Sequence, residues 1–291
     1  MTQQTVALPD DPALAQVLSA LSAEGAQALI VGGAVRNALL GEPISDIDIA
    51  TSARPEDTMR LANQAGLRTV PTGVDHGTVT IIAGGRGYEA TSFRRDVETD
   101  GRHAVVAYSD SIEEDARRRD FTMNALYATL DGRVLDPVGG LSDLAQRKLR
   151  FVGDPRARIT EDYLRILRFF RFLAWYGREA DMQALAACHE LRAGLANISR
   201  ERIGHEIRKL LAAPDPSQAV AFMAEAGVLP LVLPGADATD LSELIEAERD
   251  FGTGALPLPS LMLIPVIMIV AMMAGGLLLL GPAVLKTRFG V

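Results

Sequence analysis

Cysteine is almost missing from this chain of 291 residues: Cys188 is the only one. A disulfide framework is therefore excluded, and a reducing compartment fits. The opening stretch MTQQTVALPDDPALAQ lacks the basic start and apolar run of a secretory leader. No internal repeat is present. The glycine pair in V-G-G-A-V-R is not the dinucleotide fingerprint G-x-G-x-x-G. His189 and His205 have no metal-ligand spacing with Cys188, so all three read as structural. Positive charge is short as well: the formal net charge is −8, which argues weakly against nucleic acid.

What is present is unevenly spread. Hydrophobic residues make up 48%, ample for a core, and charged residues 23%, ordinary for a soluble protein. Residues 150–210 carry 12 Lys+Arg, 11 of them Arg, against 8 Asp+Glu. Arginine presents a planar fork suited to phosphates and base edges. A solvated helical face is the ordinary alternative, and charge alone leaves both open.

The chain length allows two modest domains. Helix is expected over 12–24, then an apolar strand AQALIVGG (26–33) running into a helix AVRNALLG (34–41). SDIDIAT (45–51) alternates as a strand, and Pro55 opens a helix to about Gln64. GTVTIIAG and GYEATSF form a hairpin across GGRG. A polar loop follows over 94–110. Ser111 with Glu114 three residues later fits a capping box, and LDGRVLDPV turns at Asp131-Gly132. Beyond 141 helices are expected at 141–148, 160–177, 181–194, 199–212 and 216–227. The class is α+β: a mixed head followed by a helical body.

Asp46 and Asp48 raise the chemical question. On a strand, residues two apart share a face. Two carboxylates so close raise each other's pKa unless a cation joins them. Hard oxygen ligands suit Mg²⁺, which completes its shell with water and substrate phosphates. Two solvent-facing acids on an edge strand are the plain alternative. Three neighbours favour chemistry. Gly32-Gly33 sits at a strand-to-helix junction, where backbone and helix N-terminus favour an anion, with Arg36 one turn in. Glu89 lies on a nearby strand, and Arg94 and Arg95 follow at its end. Such a set suits metal-assisted phosphoryl or nucleotidyl transfer.

The segments LIVGGAVRNALLG, SDIDIAT, YEATSFRRDVETDGRHA, EEDARRRDFTMNALY, LDPVGGLSDLAQRKLRFVGDP, EDYLRILRFFRF and SRERIGHEIRKLL occur in that order. Together they closely resemble the class II tRNA nucleotidyltransferase family, which includes CCA-adding enzymes and bacterial poly(A) polymerases. The resemblance runs over roughly residues 26–235. It implies a polymerase-beta-type head over 1–140 and a helical neck and body over 141–250 that reads nucleotides and binds RNA; residues 251–291 are atypical of it. It implies that Asp46 and Asp48 hold the metal, Mg²⁺, with Glu89 as a third carboxylate. Gly32, Gly33 and Arg36 match the triphosphate segment. Arg119, Asp120 and Asn124 fall in R-R-D-F-T-x-N, which helps hold sugar and phosphates. Asp136-Pro137 with Gly139-Gly140 match a hinge-like motif. Glu161, Asp162 and Arg165 match the nucleotide-reading E-D-x-x-R, and Arg168 and Arg171 continue that helix toward the RNA path or pair with Glu161 or Glu206.

The pairing chemistry of Asp162 and Arg165 follows from their groups. Three apart on a helix, they share a face, one a pure acceptor and one a pure donor. Cytosine and adenine each present an amino donor beside a ring-nitrogen acceptor. Uracil and guanine present the reverse and would leave both groups unpaired, at roughly 1–3 kcal/mol each. An intrahelical salt bridge is the plain alternative. Phe169, Phe170, Phe172 and Trp175, at near-helical spacing, are expected in the core, with base-stacking platforms as the alternative. The implied activity adds C and A from CTP and ATP to the tRNA 3′ end, with two metals and release of pyrophosphate, in the cytoplasm. Poly(A) synthesis, partial CCA addition and a non-catalytic RNA- or membrane-associated remnant are the alternatives.

The resemblance breaks at the end of the chain. No charged residue occurs from Gly252 to Leu285, and Leu261–Leu280 is long enough to span a bilayer. A membrane anchor through 255–285, a shifted frame or truncation, and a buried hairpin broken at Pro265 and Gly275-Gly276 each account for it. The abrupt change favours the second.

Overall fold

A computed structural model describes residues 4–95, 107–236 and 238–239. The chain divides into two compact units, Met1–Asp154 and Pro155–Val291.

In the first unit, α1 (Pro12–Leu21) begins at Asp11, whose carboxylate accepts the amides of Ala13 and Leu14, with Pro12 at the first helical position. Its buried stripe is Leu14, Val17, Leu18 and Leu21. β1 (Ala28–Val31), α2 (Gly33–Leu40), β2 (Asp48–Thr51) and α3 (Pro55–Gln64) follow. β3 (Arg68–Gly73), β4 (Thr78–Ala83) and β5 (Arg86–Ser92) then form a meander. β6 (Arg94–Arg95) pairs with β7 (Ala107–Tyr108). α4 (Ile112–Arg117), β8 (Tyr127–Ala128), β9 (Val134–Leu135), α5 (Gly140–Ala145) and β10 (Lys148–Leu149) complete the unit. The main sheet has seven strands in the order β3-β4-β5-β2-β1-β8-β9. Only β2 and β5 run parallel to each other, so the sheet is mixed, as expected.

Two expectations are corrected here, and one strand is added. SDIDIAT is not a strand throughout: β2 starts at Asp48, and Asp46 lies in the irregular segment before it. RTVPTG is a strand although it contains Pro71. It is the sheet's edge, and its register shifts between Val70 and Gly73, so the missing amide costs no ladder bond. The capping box at α4 is half formed: Ser111 accepts the Glu114 amide, but the Glu114 carboxylate accepts from the Ser109 hydroxyl instead. The Gly84-Gly85 and Asp131-Gly132 hairpins form as read. One face of the sheet buries Leu29, Val31, Ala50, Phe93 and Tyr127 against Ala116, Ala125 and Val152.

The described part of the second unit is helical apart from a two-residue strand at Glu179–Ala180. Its helices are α6 (Pro155–Glu161), α7 (Leu164–Tyr176), α8 (Met182–Leu191), α9 (Arg200–Leu211), α10 (Ser217–Glu225) and α11 (Leu229–Val232). α7 is the central element, packing on α6, α9 and α10 and burying Ile166, Leu167, Phe169, Phe170, Phe172 and Leu173. The single helix expected over 160–177 is broken: α6 ends at Glu161 and α7 starts at Leu164. Trp175 is not in the core; it is 41% exposed. Cys188 is buried, and burial pushes its thiol pKa up. His189 bonds the Ala226 carbonyl, in line with a structural role. No helix among the described residues is long and apolar enough to cross a membrane, and the apolar run of 252–285 lies outside them.

Candidate functional site

Each unit holds a constellation of its own. In the first, β1 ends at Val31 and the chain turns through Gly32, whose φ of 71° and ψ of −120° suit glycine alone. α2 starts at Gly33. A Cβ on Gly32 would lie 3.6 Å from both the Arg119 Nη1 and the Asn124 carbonyl, so the turn is lined by those two residues. Arg36 is 5% exposed. Its guanidinium donates to the Asn37 side-chain oxygen and to Asn124 Oδ1. Asn124 Nδ2 donates in turn to Asp120 Oδ1 at 3.1 Å, and that oxygen also accepts the Phe121 amide. Gly32, Gly33, Arg36, Arg119, Asp120 and Asn124 are thereby gathered at one junction.

Arg119 is held by Asp115, a residue the sequence reading passed over. Asp115 is 1% exposed and accepts from Arg118 Nε at 3.0 Å, Arg119 Nη2 at 3.0 Å and the Tyr127 hydroxyl at 2.7 Å. Burial alone would raise its pKa; Arg119, Arg118 and Tyr127 outweigh it, and the net shift is downward. The signal was present, since Asp115 precedes Arg118 and Arg119 by three and four residues on one helix face. Arg94 lies beside this cluster. Burial, then the Arg118 charge, lowers its guanidinium to about 10, and its Nε makes no hydrogen bond.

Two of the acids, Asp48 and Glu89, lie on one sheet face. Asp48 is the register partner of Glu89 across the parallel β2–β5 pair, so the two side chains leave the sheet together from strands about 4.8 Å apart. Asp48 reaches solvent, yet burial is the first cause raising its pKa, followed by the Glu89 charge; Arg119 opposes and Asp46 adds to the rise. Asp46 accepts from the Ser45 hydroxyl at 3.0 Å. Three carboxylates thus share one neighbourhood with too little positive charge. Among the described residues no three acidic, histidine or cysteine groups are already drawn into a closed metal cage. The donor set nevertheless fits a hard divalent cation, which needs only one or two carboxylates besides substrate phosphates.

The second unit holds Asp162 and Arg165. Asp162 lies in the break between α6 and α7, so the two are not on one continuous helix; the turn still joins them, with the Arg165 amide donating to the Asp162 carbonyl at 2.9 Å. One Asp162 carboxylate oxygen accepts the Leu164 amide at 3.1 Å; the other accepts from Arg202 at 2.7 Å. Arg165 donates to the Arg158 carbonyl at 2.8 Å and pairs with Glu161. The intrahelical salt bridge between Asp162 and Arg165 is thus not formed. Arg202, forty positions on, has no periodic link to Asp162 and was invisible in the sequence. Arg171 pairs with Glu206 at 2.6 Å, a largely buried structural contact, and Arg168 and Arg171 both lie over the Phe172 ring.

A mixed sheet carrying in-register carboxylates beside a glycine-to-helix anion junction defines a nucleotidyltransferase-type head. Residues 28–150 match the family described as "Poly A polymerase head domain", and residues 181–239 match "Probable RNA and SrmB- binding site of polymerase A". The chain is 42% identical over 220 residues to a CCA-adding enzyme of Geobacillus sp. (strain WCH70), covering 75% of this chain and 53% of that protein. It is 43% identical over 206 residues to the mitochondrial CCA tRNA nucleotidyltransferase 1 of Danio rerio, covering 68% and 47%. The crystal structure of the Bacillus stearothermophilus CCA-adding enzyme in complex with CTP superposes with a TM-score of 0.72 at 32% identity, covering 91% of this chain and 69% of that one. The chain belongs to the family of CCA-adding enzymes and poly(A) polymerases, and it spans about half the length of the curated relatives it matches.

Proposed function

We propose that this chain is a tRNA nucleotidyltransferase that adds C and A from CTP and ATP to the tRNA 3′ end, releasing pyrophosphate. The observation that carries this reading is the Asp48–Glu89 register pair, with Asp46 beside it and the Gly32 junction lined by Arg119. Asp46 and Asp48 would hold the divalent cation, Mg²⁺ by its preference for hard oxygen donors. Bound there, such a cation supplies charge neutralisation for the triphosphate and acidity for the attacking 3′-hydroxyl. Gly33 offers its backbone amide at a helix N-terminus to the triphosphate, and Gly32, whose own amide donates to the Leu126 carbonyl, makes the turn that lets the phosphates approach. Arg119, steadied by Asp115, adds a fixed positive charge, and the Arg36–Asn124–Asp120 chain holds that pocket's shape for the sugar. Glu89 serves as the third carboxylate.

Base choice is assigned to Asp162 and Arg165. For a cytosine or adenine edge to engage them, Asp162 must exchange or share its Arg202 bond and Arg165 its Glu161 bond. The Asp162–Arg202 exchange is inexpensive, because Asp162 is one-third exposed and Arg202 half exposed. The head (1–140) then carries the chemistry and the helical part (141–250) the selection and RNA contact. The implied place of action is the cytoplasm.

The test is an incorporation assay with Mg²⁺, a tRNA ending at its discriminator base, and each labelled nucleotide alone and mixed. Ordered addition of C, C and A is the expected product. Repeated A addition from ATP alone would replace CCA addition with poly(A) synthesis, and addition that stops short would mark a partial enzyme. Absence of any incorporation while nucleotide still binds would leave the non-catalytic reading.

A further inference from the structure

The chain has one tryptophan, and it stands at the surface. Trp175 occupies the last turn of α7, after three phenylalanines that are all buried. Its indole N–H donates at 2.7 Å to the Lys209 carbonyl in the last turn of α9. That bond satisfies the ring's one polar group and fixes its orientation, so the exposed remainder is apolar and rigid. The surroundings are cationic. Arg168, seven residues earlier, falls within about 20° of Trp175 around the helix. Arg208 and Lys209 close α9 and are exposed. The carboxylate of this stretch, Glu206, is already engaged by Arg171. Protein interfaces also use Trp and Arg, but a flat ring flanked by exposed cations whose nearby carboxylate is already engaged fits a polyanion that carries flat rings: its phosphates meet the charges and its bases the ring.

We propose that Trp175 is a stacking platform for an unpaired base of the RNA substrate, with Arg208 and Lys209 meeting the adjacent phosphates. This rests on the tRNA reading above and adds a contact to it. Stacking on an aromatic side chain tolerates any base, so the platform would grip the strand without selecting sequence.

The full chain is titrated with tRNA ending at its discriminator base, and binding is followed by filter retention and by intrinsic tryptophan fluorescence. The second readout reports on Trp175 alone, because the chain holds no other tryptophan. Quenching should track retention. Trp175→Ala should weaken binding about ten-fold at fixed salt, within the span of one lost base stack, and Trp175→Phe should recover most of it. The slope of log affinity against log salt should stay unchanged in Trp175→Ala and fall by about 1 in Lys209→Ala. The fluorescence arm needs no variant, so it stands even if Trp175→Ala fails to fold. RNA retained with unchanged fluorescence overturns the platform and leaves the tRNA reading intact. No retention of tRNA by the wild-type chain removes both.

Discussion

Asp48 and Asp115 show how position decides what a carboxylate is for. Asp115 has two guanidiniums and a phenol around it, so its pKa falls despite complete burial. It is a fixed structural anion that orients Arg119. Asp48 is pushed first by burial and then by the Glu89 and Asp46 charges, with Arg119 alone opposing, so its pKa rises. A group whose folded pKa is raised binds its proton more tightly in the folded state. Its stabilising contribution is then greatest below the unfolded value of 3.8 and is lost as pH rises through the raised folded value. Ionising Asp48 thus works against burial and its neighbours' charge, and the metal role proposed for it would offset that cost. Asp48→Asn should therefore raise Tm by a few degrees at pH 7, with the gain vanishing below about pH 4. The same variant should lose nucleotide incorporation by at least about 100-fold, the upper end of what losing even an outer-shell partner of a metal costs. Thermal melts at both pH values check the first statement; a Tm below wild type at pH 7 would refute the frustrated carboxylate.

At the scale of elements, the strongly patterned segments were legible. α1 and the β4–β5 hairpin follow directly from their apolar spacing and turn glycines, and Asp48 and Glu89 could be named because acids interrupt apolar strands. What failed was whatever depends on partners distant in sequence. The break between α6 and α7 is invisible in a continuous apolar period, yet it moves Asp162 off the helix and toward Arg202. Trp175 fits the helical stripe but falls at its end, beyond the core. In the D-P-V-G-G segment the local contacts form a clamp. Asp136 accepts the Gly140 amide at 2.7 Å and the Leu141 amide at 3.0 Å, capping α5. The break at Asp162 has a support of its own. A Cβ on Gly194 would fall 2.0 Å from the Tyr163 ring, so that ring lies against bare backbone. Gly194→Ala must displace Tyr163, the residue next to Asp162, at an overpacking cost of about 1–3 kcal/mol. The expected outcome is a lower Tm and roughly a ten-fold loss of preference for CTP and ATP over UTP and GTP, measured by competitive incorporation. Unchanged preference would mean that Tyr163 does not set the Asp162 geometry.

For the whole molecule, the division of labour follows the division of the chain. The carboxylates, the glycine junction and the Arg119–Asp115 cluster all fall within Met1–Asp154, whereas Asp162 and Arg165 fall after it. The first unit has its own core, with Leu29, Val31, Phe93 and Tyr127 on one sheet face and α1 packed with α3 and β4. In the proposed reading that unit's glycine junction would meet phosphate oxygens through an amide and guanidiniums, a chemistry that does not distinguish one base from another. A fragment of residues 1–154 should therefore fold cooperatively and bind CTP, ATP, UTP and GTP alike in the presence of Mg²⁺, while the full chain prefers the first two. Calorimetric titration of both proteins with each nucleotide measures this. Equal affinities in the fragment, against at least a ten-fold preference in the full chain, would place base selection beyond residue 154. A fragment that already prefers CTP and ATP would move the reader into the head and leave Asp162 as a helix cap tied to Arg202.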